Sequence, residues 1–278
     1  MKKTWLITGC STGLGRGIAA AVLEHGDRAV VTARKVGSIK ELCEKYPEDA
    51  MAFRLDVTKK EEIDEAVAAA LRKFGQIDCL VNNAGYGYRG AMEEASETEI
   101  DELFRTNFFG PVRMMQKVLP IMRRQGRGYI INISSSGALE ASVGSGFYAA
   151  TKVALEQVSD SLRKETAPLG IRVLIVEPGA LRTDFRDRSL KESETVIDAY
   201  RQTSGSRRKE NLPSLHDQIG SPEKAGKLLV ELIERGEFPD RLLLGSDAVA
   251  TAGKIYRERM KEAERWESVS VRTDYYIP

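Results

Sequence analysis

Residues 8–15 read "TGCSTGLG" and follow the apolar run "TWLI" at 4–7. Two readings compete for this stretch. Behind the opening "MKK", the segment "ITGC" looks like the end of a bacterial export signal, with Cys10 as lipid acceptor. A secretory h-region needs about 7–15 apolar residues, whereas only Trp5, Leu6 and Ile7 are apolar between Lys3 and Thr8. That is too short, and export is set aside. The other reading takes in what comes next. "GRGIAAAVLEHG" has helical spacing, with Ile18, Val22 and Leu23 on one face and Gly26 as a stop. The stretch is therefore a glycine-rich turn from a strand into a helix. Gly9, Gly13 and Gly15 allow a tight turn and a close backbone approach. The helix start adds unpaired N–H groups and a positive dipole, a suitable cradle for a dinucleotide pyrophosphate. Three residues separate the first two glycines, so the spacing departs from G-x-G-x-x-G.

The alternation of strand and helix continues outward from this turn. "RAVVTA", "MAFRLDV", "DCLVNNAG", "GYIINISS", "IRVLIVEPG" and "DRLLLGSDA" read as six further strands. They are nearly continuous apolar runs, as in a parallel sheet buried on both faces. Helices are expected between them at "KKEEIDEAVAAALRKFG", "FYAATKVALEQVSDSLRKETAPLG" and "SPEKAGKLLVELIERG". A longer one spans 96–126, opened by Ser96 and Glu99 as a capping box and interrupted near Gly110-Pro111. The expected fold is α/β and doubly wound, a seven-stranded parallel sheet with helices on both faces. Without repeats or a linker rich in Pro, Gly or Ser, residues 1–278 read as one domain. Residues 184–216 form a polar irregular segment suited to a substrate lid. Residues 266–278 read as a peripheral tail, either disordered or packed on a partner subunit.

Bulk composition narrows the function. The 278 residues carry 42 basic and 41 acidic side chains, a formal charge of +1. Such balance gives no global attraction to nucleic acid or to an anionic membrane. No stretch approaches the roughly 18 apolar residues of a membrane span, so a cytoplasmic location is expected. Cys10, Cys43 and Cys79 lack metal-ligand spacing and fit a reducing compartment. With only His25 and His216 present, a histidine-centred triad is poorly supported, and no metal site is expected.

The end of the second strand bears on the cofactor. An acid there binds a ribose 2′-hydroxyl, while an arginine accommodates a 2′-phosphate. The sequence "VVTARK" puts Ala33 where the acid would sit, followed by Arg34 and Lys35. This favours NADP(H), with NAD(H) still possible.

The reacting groups are sought in "ISSSGALEASVGSGFYAATK". Tyr148 and Lys152 stand at i and i+4 at the start of a helix, on one face. Alone, such a pair is an ordinary helix surface. A nearby ammonium would nevertheless lower the phenol pKa toward the working range of an acid or base. Ser135 lies at the end of the fifth strand, where open α/β sheets place ligands. Its hydroxyl is placed to polarise a carbonyl, although Ser134 and Ser136 stand beside it.

Taken in order, "TGCSTGLG", "LDV" at 55–57, "NNAG" at 82–85, the asparagine of "TNFFG", Ser135, "YAATK" and "PGALRT" at 178–183 resemble the short-chain dehydrogenase/reductase family over nearly the whole chain. The resemblance implies a Rossmann fold and hydride transfer between a nicotinamide cofactor and a carbonyl or secondary alcohol. It implies Tyr148 as general acid, with Lys152 lowering its pKa and binding the nicotinamide ribose. Ser135 would hold the substrate oxygen, and Asn107 would anchor a water relay. The turn, including Leu14, would hold the dinucleotide. Asp56 and Val57 would contact adenine, and Asn83, Ala84 and Gly85 would lie along the cofactor, with Asn82 and Asn83 also stabilising the sheet. Pro178, Gly179 and Thr183 would approach the nicotinamide end, with Thr183 binding its carboxamide or the phosphates. The basic residue that some NADP-using members carry inside the glycine turn is missing, leaving Ser11 or Thr12 to donate to a 2′-phosphate. "NNAGYGYRGAMEE" resembles the branch acting on steroids, retinoids and other apolar carbonyls, and Tyr86, Tyr88, Leu139, Ser142, Leu181 and Phe185 are expected to line the substrate site. The apolar faces at 96–125 and 147–167 suggest a homodimer or homotetramer. A non-catalytic NADP(H) sensor is the alternative from another class, but the retained Tyr148, Lys152, Ser135 and Asn107 oppose it.

Overall fold

Thr4–Ile7 is buried at every position, because this strand, β1, lies inside the sheet with a neighbour on each side. The computed structural model describes residues 2–183, 185, 188–208 and 218–275. Beyond β1 the strands are β2 (Arg28–Ala33), β3 (Ala50–Arg54), β4 (Cys79–Asn82), β5 (Gly87–Arg89), β6 (Gly128–Ile133), β7 (Ile171–Pro178), β8 (Leu190–Glu192) and β9 (Arg241–Leu244). The helices are α1 (Gly13–His25), α2 (Lys40–Glu44), α3 (Lys60–Phe74), α4 (Glu97–Phe104), α5 (Gly110–Gln125), α6 (Gly146–Thr166), α7 (Pro222–Arg235) and α8 (Ser246–Ser270). Seven strands form one sheet in the order β3-β2-β1-β4-β6-β7-β9, with every neighbour parallel. The expected doubly wound architecture is therefore present.

Two apolar layers cover the sheet. Ile18 and Val22 of α1 pack with Leu229 and Ile233 of α7 on one face. Val67 of α3, Met114 and Val118 of α5, and Leu155 of α6 pack on the other. The strand order reverses between β1 and β4, so the segments leaving their carboxyl ends diverge and open a crevice there. The glycine turn and residues 83–85 both sit at that crevice.

The capping box at Ser96 and Glu99 forms as expected, and Ser221 caps α7 with Pro222 in the first turn. The break expected near Gly110-Pro111 in the 96–126 helix is a π-helical turn, Arg105–Phe109, which contains Asn107. Pro111 follows it within a continuous helix, and its missing N–H removes one helical donor there.

The 184–216 segment is less irregular than expected. Within it β8 pairs in parallel with β5, forming a second, two-stranded sheet. Carboxylates hold its main chain: Glu94 accepts from the Ile197 N–H at 2.9 Å, and Glu99 from the Glu194 N–H at 3.0 Å. Asp184, Arg186, Asp187 and 209–217, which belong to the expected lid, lie outside the described residues.

The last strand stops at Leu244, and "SDA" opens α8 instead of extending the strand. Gly245, at φ +105°, breaks the extended run. The Ala-, Glu-, Lys- and Arg-rich sequence beyond it favours a helix. The expected tail from Trp266 is thus helical to Ser270, with Trp266 about half exposed, and residues 276–278 lie outside the described part. Among the described residues, no helix is long and apolar enough to cross a membrane.

A buried polar chain crosses the sheet. Asn82 Nδ2 donates to Asn132 Oδ1 at 2.8 Å, and Asn132 Nδ2 donates to Ser159 Oγ at 2.8 Å. Both asparagines are almost fully buried. Removing the central member leaves the buried Asn82 amide without its acceptor, at a cost of roughly 1–3 kcal/mol, while Ser159 Oγ keeps its bond to the Leu155 carbonyl. Asn132→Ala is expected to lower the unfolding free energy by about 1–3 kcal/mol, read from urea denaturation.

Candidate active site

Thr8 fixes the start of the glycine turn. Its hydroxyl donates to the Val81 carbonyl at 3.2 Å and accepts from the N–H groups of Asn83 and Ala84, each at 3.0 Å. Asn83 Nδ2 donates back to the carbonyls of Thr8 at 2.9 Å and Gly9 at 3.0 Å. The turn is thereby clamped to the segment that leaves β4. Gly9 has φ +72°, and a Cβ there would lie 2.8 Å from Ala84 Cα. A Cβ on Gly15 would lie 2.4 Å from the Gly9 carbonyl oxygen. The glycines are thus required by the fold of the turn itself.

The turn ends at the N-terminus of α1, where Thr12 is the cap residue and makes no side-chain cap bond. The side chain of Thr183 approaches Gly13, within 3.2 Å of where a Cβ would stand. A cavity of about 290 Å³ opens beside Gly13 and Thr183, with Arg16 and Arg182 on its wall. Ala180 N–H donates to Asp247 Oδ2 at 2.7 Å, and Gly179 N–H to the Leu244 carbonyl at 2.9 Å. These bonds anchor the Pro178–Thr183 segment over the same end of the sheet. Asp247 was missed because its stretch reads as strand.

At the outer end of the crevice Arg34 and Lys35 are exposed, and no carboxylate follows β2. Ser11 is exposed, and Val57 is buried. Asp56 Oδ1 accepts from the N–H and the hydroxyl of Thr58, at 2.9 and 2.7 Å. Partial burial opposes its ionisation, but these bonds and the field of Arg34 outweigh it and hold the carboxyl below the usual range.

The inner end gathers the other expected residues. Tyr148 and Lys152 share a face of α6, with Lys152 Nζ 5.9 Å from the Tyr148 ring centre. Lys152 is buried and donates to the Ile133 carbonyl at 2.8 Å. The Ser135 hydroxyl acts directly on Tyr148 and also accepts from the Gly137 N–H at 3.0 Å. This singles out Ser135, since the Ser134 hydroxyl turns to Glu156. Asn107 is fully buried; its amide accepts from Tyr86 N–H at 3.1 Å and donates to the Tyr86 carbonyl at 2.9 Å and to Thr151 Oγ1 at 3.3 Å. A Cβ on Gly85 would stand 3.1 Å from Asn107 Oδ1 and 3.7 Å from Lys152 Nζ, so these three meet. Phe185 lies over Tyr148, with ring centres 5.8 Å apart.

The electrostatics differ from expectation in one respect. Burial pushes the Tyr148 phenol up to about 12, although the Ser135 hydroxyl and the charge of Arg89 favour the phenolate. Lys152 does not pull it down here. Its ammonium is directed to Ile133, and burial lowers its own pKa to about 8, against the opposing field of Glu156. At pH 7 the site therefore holds a protonated phenol beside a lysine that is still mostly ammonium. Such a pair can give a proton to an oxygen that develops negative charge.

This geometry agrees with the relatives of the chain. The family described as short chain dehydrogenase matches residues 3–194. Oxidoreductase BOA17 of Botryotinia fuckeliana is 35% identical over 98% of this chain and 99% of its own length. The 3-ketodihydrosphingosine reductase of Bacteroides thetaiotaomicron is 35% identical over 86% of this chain and 87% of its own. The crystal structure of a short-chain dehydrogenase from Streptomyces avermitilis is 42% identical, with TM-score 0.90 and 98% of both chains covered. The chain belongs to the short-chain dehydrogenase/reductase family and is an oxidoreductase that uses a nicotinamide cofactor on a small-molecule substrate.

Proposed function

We propose that this enzyme interconverts a carbonyl and a secondary alcohol with NADP(H), using Tyr148 as general acid and base. The observation that carries the reading is the convergence of Tyr148, Ser135, Lys152 and Asn107 at the inner end of the crevice whose outer end is the clamped glycine turn. The name of the keto reductase relative agrees with it.

The bound cofactor supplies the hydride, and the protein supplies orientation and a proton. The N–H groups of Gly13, Leu14 and Gly15, free at the start of α1, would hold the pyrophosphate, with Gly9 and Thr12 shaping the approach. Asp56 and Val57 hold the adenine, and Ala84 and Gly85 lie along the dinucleotide. Asn83 acts mainly through the clamp on the turn. Pro178, Gly179 and Thr183 close over the nicotinamide end. Lys152 binds the nicotinamide ribose. Ser135 would hold the substrate oxygen and Tyr148 would give it a proton, its raised pKa matching a group that starts as acid. Asn107, in the π-helical turn, anchors the water that returns the proton; π-turns recur at functional sites. Arg34 grips the 2′-phosphate, helped by Lys35 and by Ser11 or Thr12, because Ala33 leaves no carboxylate to repel it. NAD(H) is a weaker cofactor on this reading. Residues 1–278 act as one domain in which 184–216 closes over the substrate and excludes water, a reading supported by the tilted contact of Phe185 with Tyr148.

Tyr148→Phe is expected to bind NADPH within about two-fold of wild type and to lose at least 10²-fold in kcat for ketone reduction. Near-normal turnover would remove Tyr148 from the mechanism. Wild type is expected to bind NADPH more tightly than NADH in a fluorescence titration. Arg34→Ala should weaken NADPH roughly 10- to 100-fold, the worth of a charge-assisted hydrogen bond, and leave NADH little changed. Tighter NADH binding by wild type would reject the preference. Phe109 and Val153, exposed on the 96–125 and 147–167 segments, support a homo-oligomer through those faces. Sedimentation showing a monomer at micromolar concentration would reject it.

A further inference from the structure

Three consecutive residues at the end of β6 engage three consecutive turns of α6. The Ile133 carbonyl accepts from Lys152 Nζ, the Ser134 hydroxyl donates to Glu156 Oε1, and the Ser135 hydroxyl meets Tyr148. Tyr148, Lys152 and Glu156 stand at i, i+4 and i+8, so they share one face of the helix. Glu156 and Ser134 are as buried as Lys152.

The carboxylate is held from its far side. Arg241 of β9 donates to Glu156 Oε2 at 2.6 Å, to Glu177 Oε1 of β7 at 3.1 Å, and to Asp160 one turn further along α6. Tyr256 of α8 also faces this group. Glu177 is itself almost fully buried. One guanidinium thus serves three acids, of which only Asp160 has a second cation, Arg163 at 3.9 Å. A buried carboxylate without full compensation is costly, and an apolar side chain of similar size would pack α6 on β6 without that cost. Lys152 stands one helical turn away on the same buried face, its ammonium bonded to the Ile133 carbonyl and within the field of Glu156.

We propose that Glu156 is a positioning residue of this enzyme: tied to Ser134 and Arg241, it fixes the register of α6 on β6 that seats Tyr148 at Ser135, and its negative charge holds the Lys152 ammonium. The inference rests on the reading of Tyr148 and Lys152 as reacting groups.

The sign of the electrostatic effect is definite. A carboxylate beside an ammonium favours the charged form, so removing it lets Lys152 lose its proton at lower pH. The test is a pH titration of the Lys152 side-chain ¹³Cε resonance in the cofactor-free protein, assigned with Lys152→Met. In Glu156→Gln, which keeps the volume and an acceptor for Ser134, the midpoint is expected to fall by about one unit, the effect of one nearby opposite charge. Glu177→Gln, which shares Arg241 but leaves Glu156 in place, should keep the wild-type midpoint. The high-pH limb of kcat for ketone reduction should move to lower pH in Glu156→Gln, with KM little changed. An unchanged Lys152 midpoint in Glu156→Gln, or an equal fall in Glu177→Gln, would overturn the proposal. If Glu156→Gln does not fold, the wild-type protein carries the test. The Glu156 carboxyl carbon must show an inflection at the Lys152 midpoint, and a flat response there overturns the proposal as well. Because the titration needs no turnover, its result stands apart from that of Tyr148→Phe, which tests the reaction.

Discussion

The hydroxyl of Thr8 is the joint on which the crevice depends. It sits where the strand order reverses and ties the chain leaving β1 to the chain leaving β4 through three hydrogen bonds. Asn83 completes the tie by holding the carbonyls of Thr8 and Gly9. Without this clamp the two loops would follow their diverging strands apart. With it, the glycine turn is a fixed surface before any ligand arrives, so little ordering entropy opposes binding. The inner end of the crevice is built on the same plan, with the end of β6 gripping α6 residue by residue.

Much of this was legible in the sequence because it rests on local rules. All seven strands of the main sheet were found from continuous apolar runs, which a doubly covered parallel sheet demands. The caps at Ser96 and Ser221 came from their spacing. What escaped depends on contacts distant in sequence. The pairing of β5 with β8 joins three-residue segments about a hundred positions apart, too short to carry a periodic signal. The C-terminal helix was hidden because "DRLLLGSDA" looks like one apolar run, and only the positive φ of Gly245 divides it. Gly110-Pro111 marks the place of the interruption, but the π-helical turn that makes it leaves no compositional mark.

The site was legible in position more than in charge. Tyr148, Lys152, Ser135 and Asn107 do come together, and Thr183 does reach the glycine turn. Spacing alone could not show that burial would raise the phenol and lower the lysine, because desolvation is set by the whole fold. Glu156 was detectable in principle, as the next residue on the face that bears Tyr148 and Lys152. Its meaning depends on Arg241, eighty-five positions away. Asn83 reads both as a cofactor contact and as a residue that stabilises the sheet, and its amide holds the carbonyls of Thr8 and Gly9.

The 190–208 segment is held in a way that separates two kinds of inheritance. Glu94 and Glu99 receive main-chain N–H groups of Ile197 and Glu194, and β8 lies along β5 by backbone bonding. Every residue except proline offers that donor. The main-chain part of this attachment therefore survives substitution along the stretch, whereas the two glutamates, and Arg208 that ties Glu94 to Ser193 and Thr195, are fixed by their side chains. Divergence among descendants of this scaffold should accumulate on the strap and spare its moorings, so that new substrate ranges arise without a new fold.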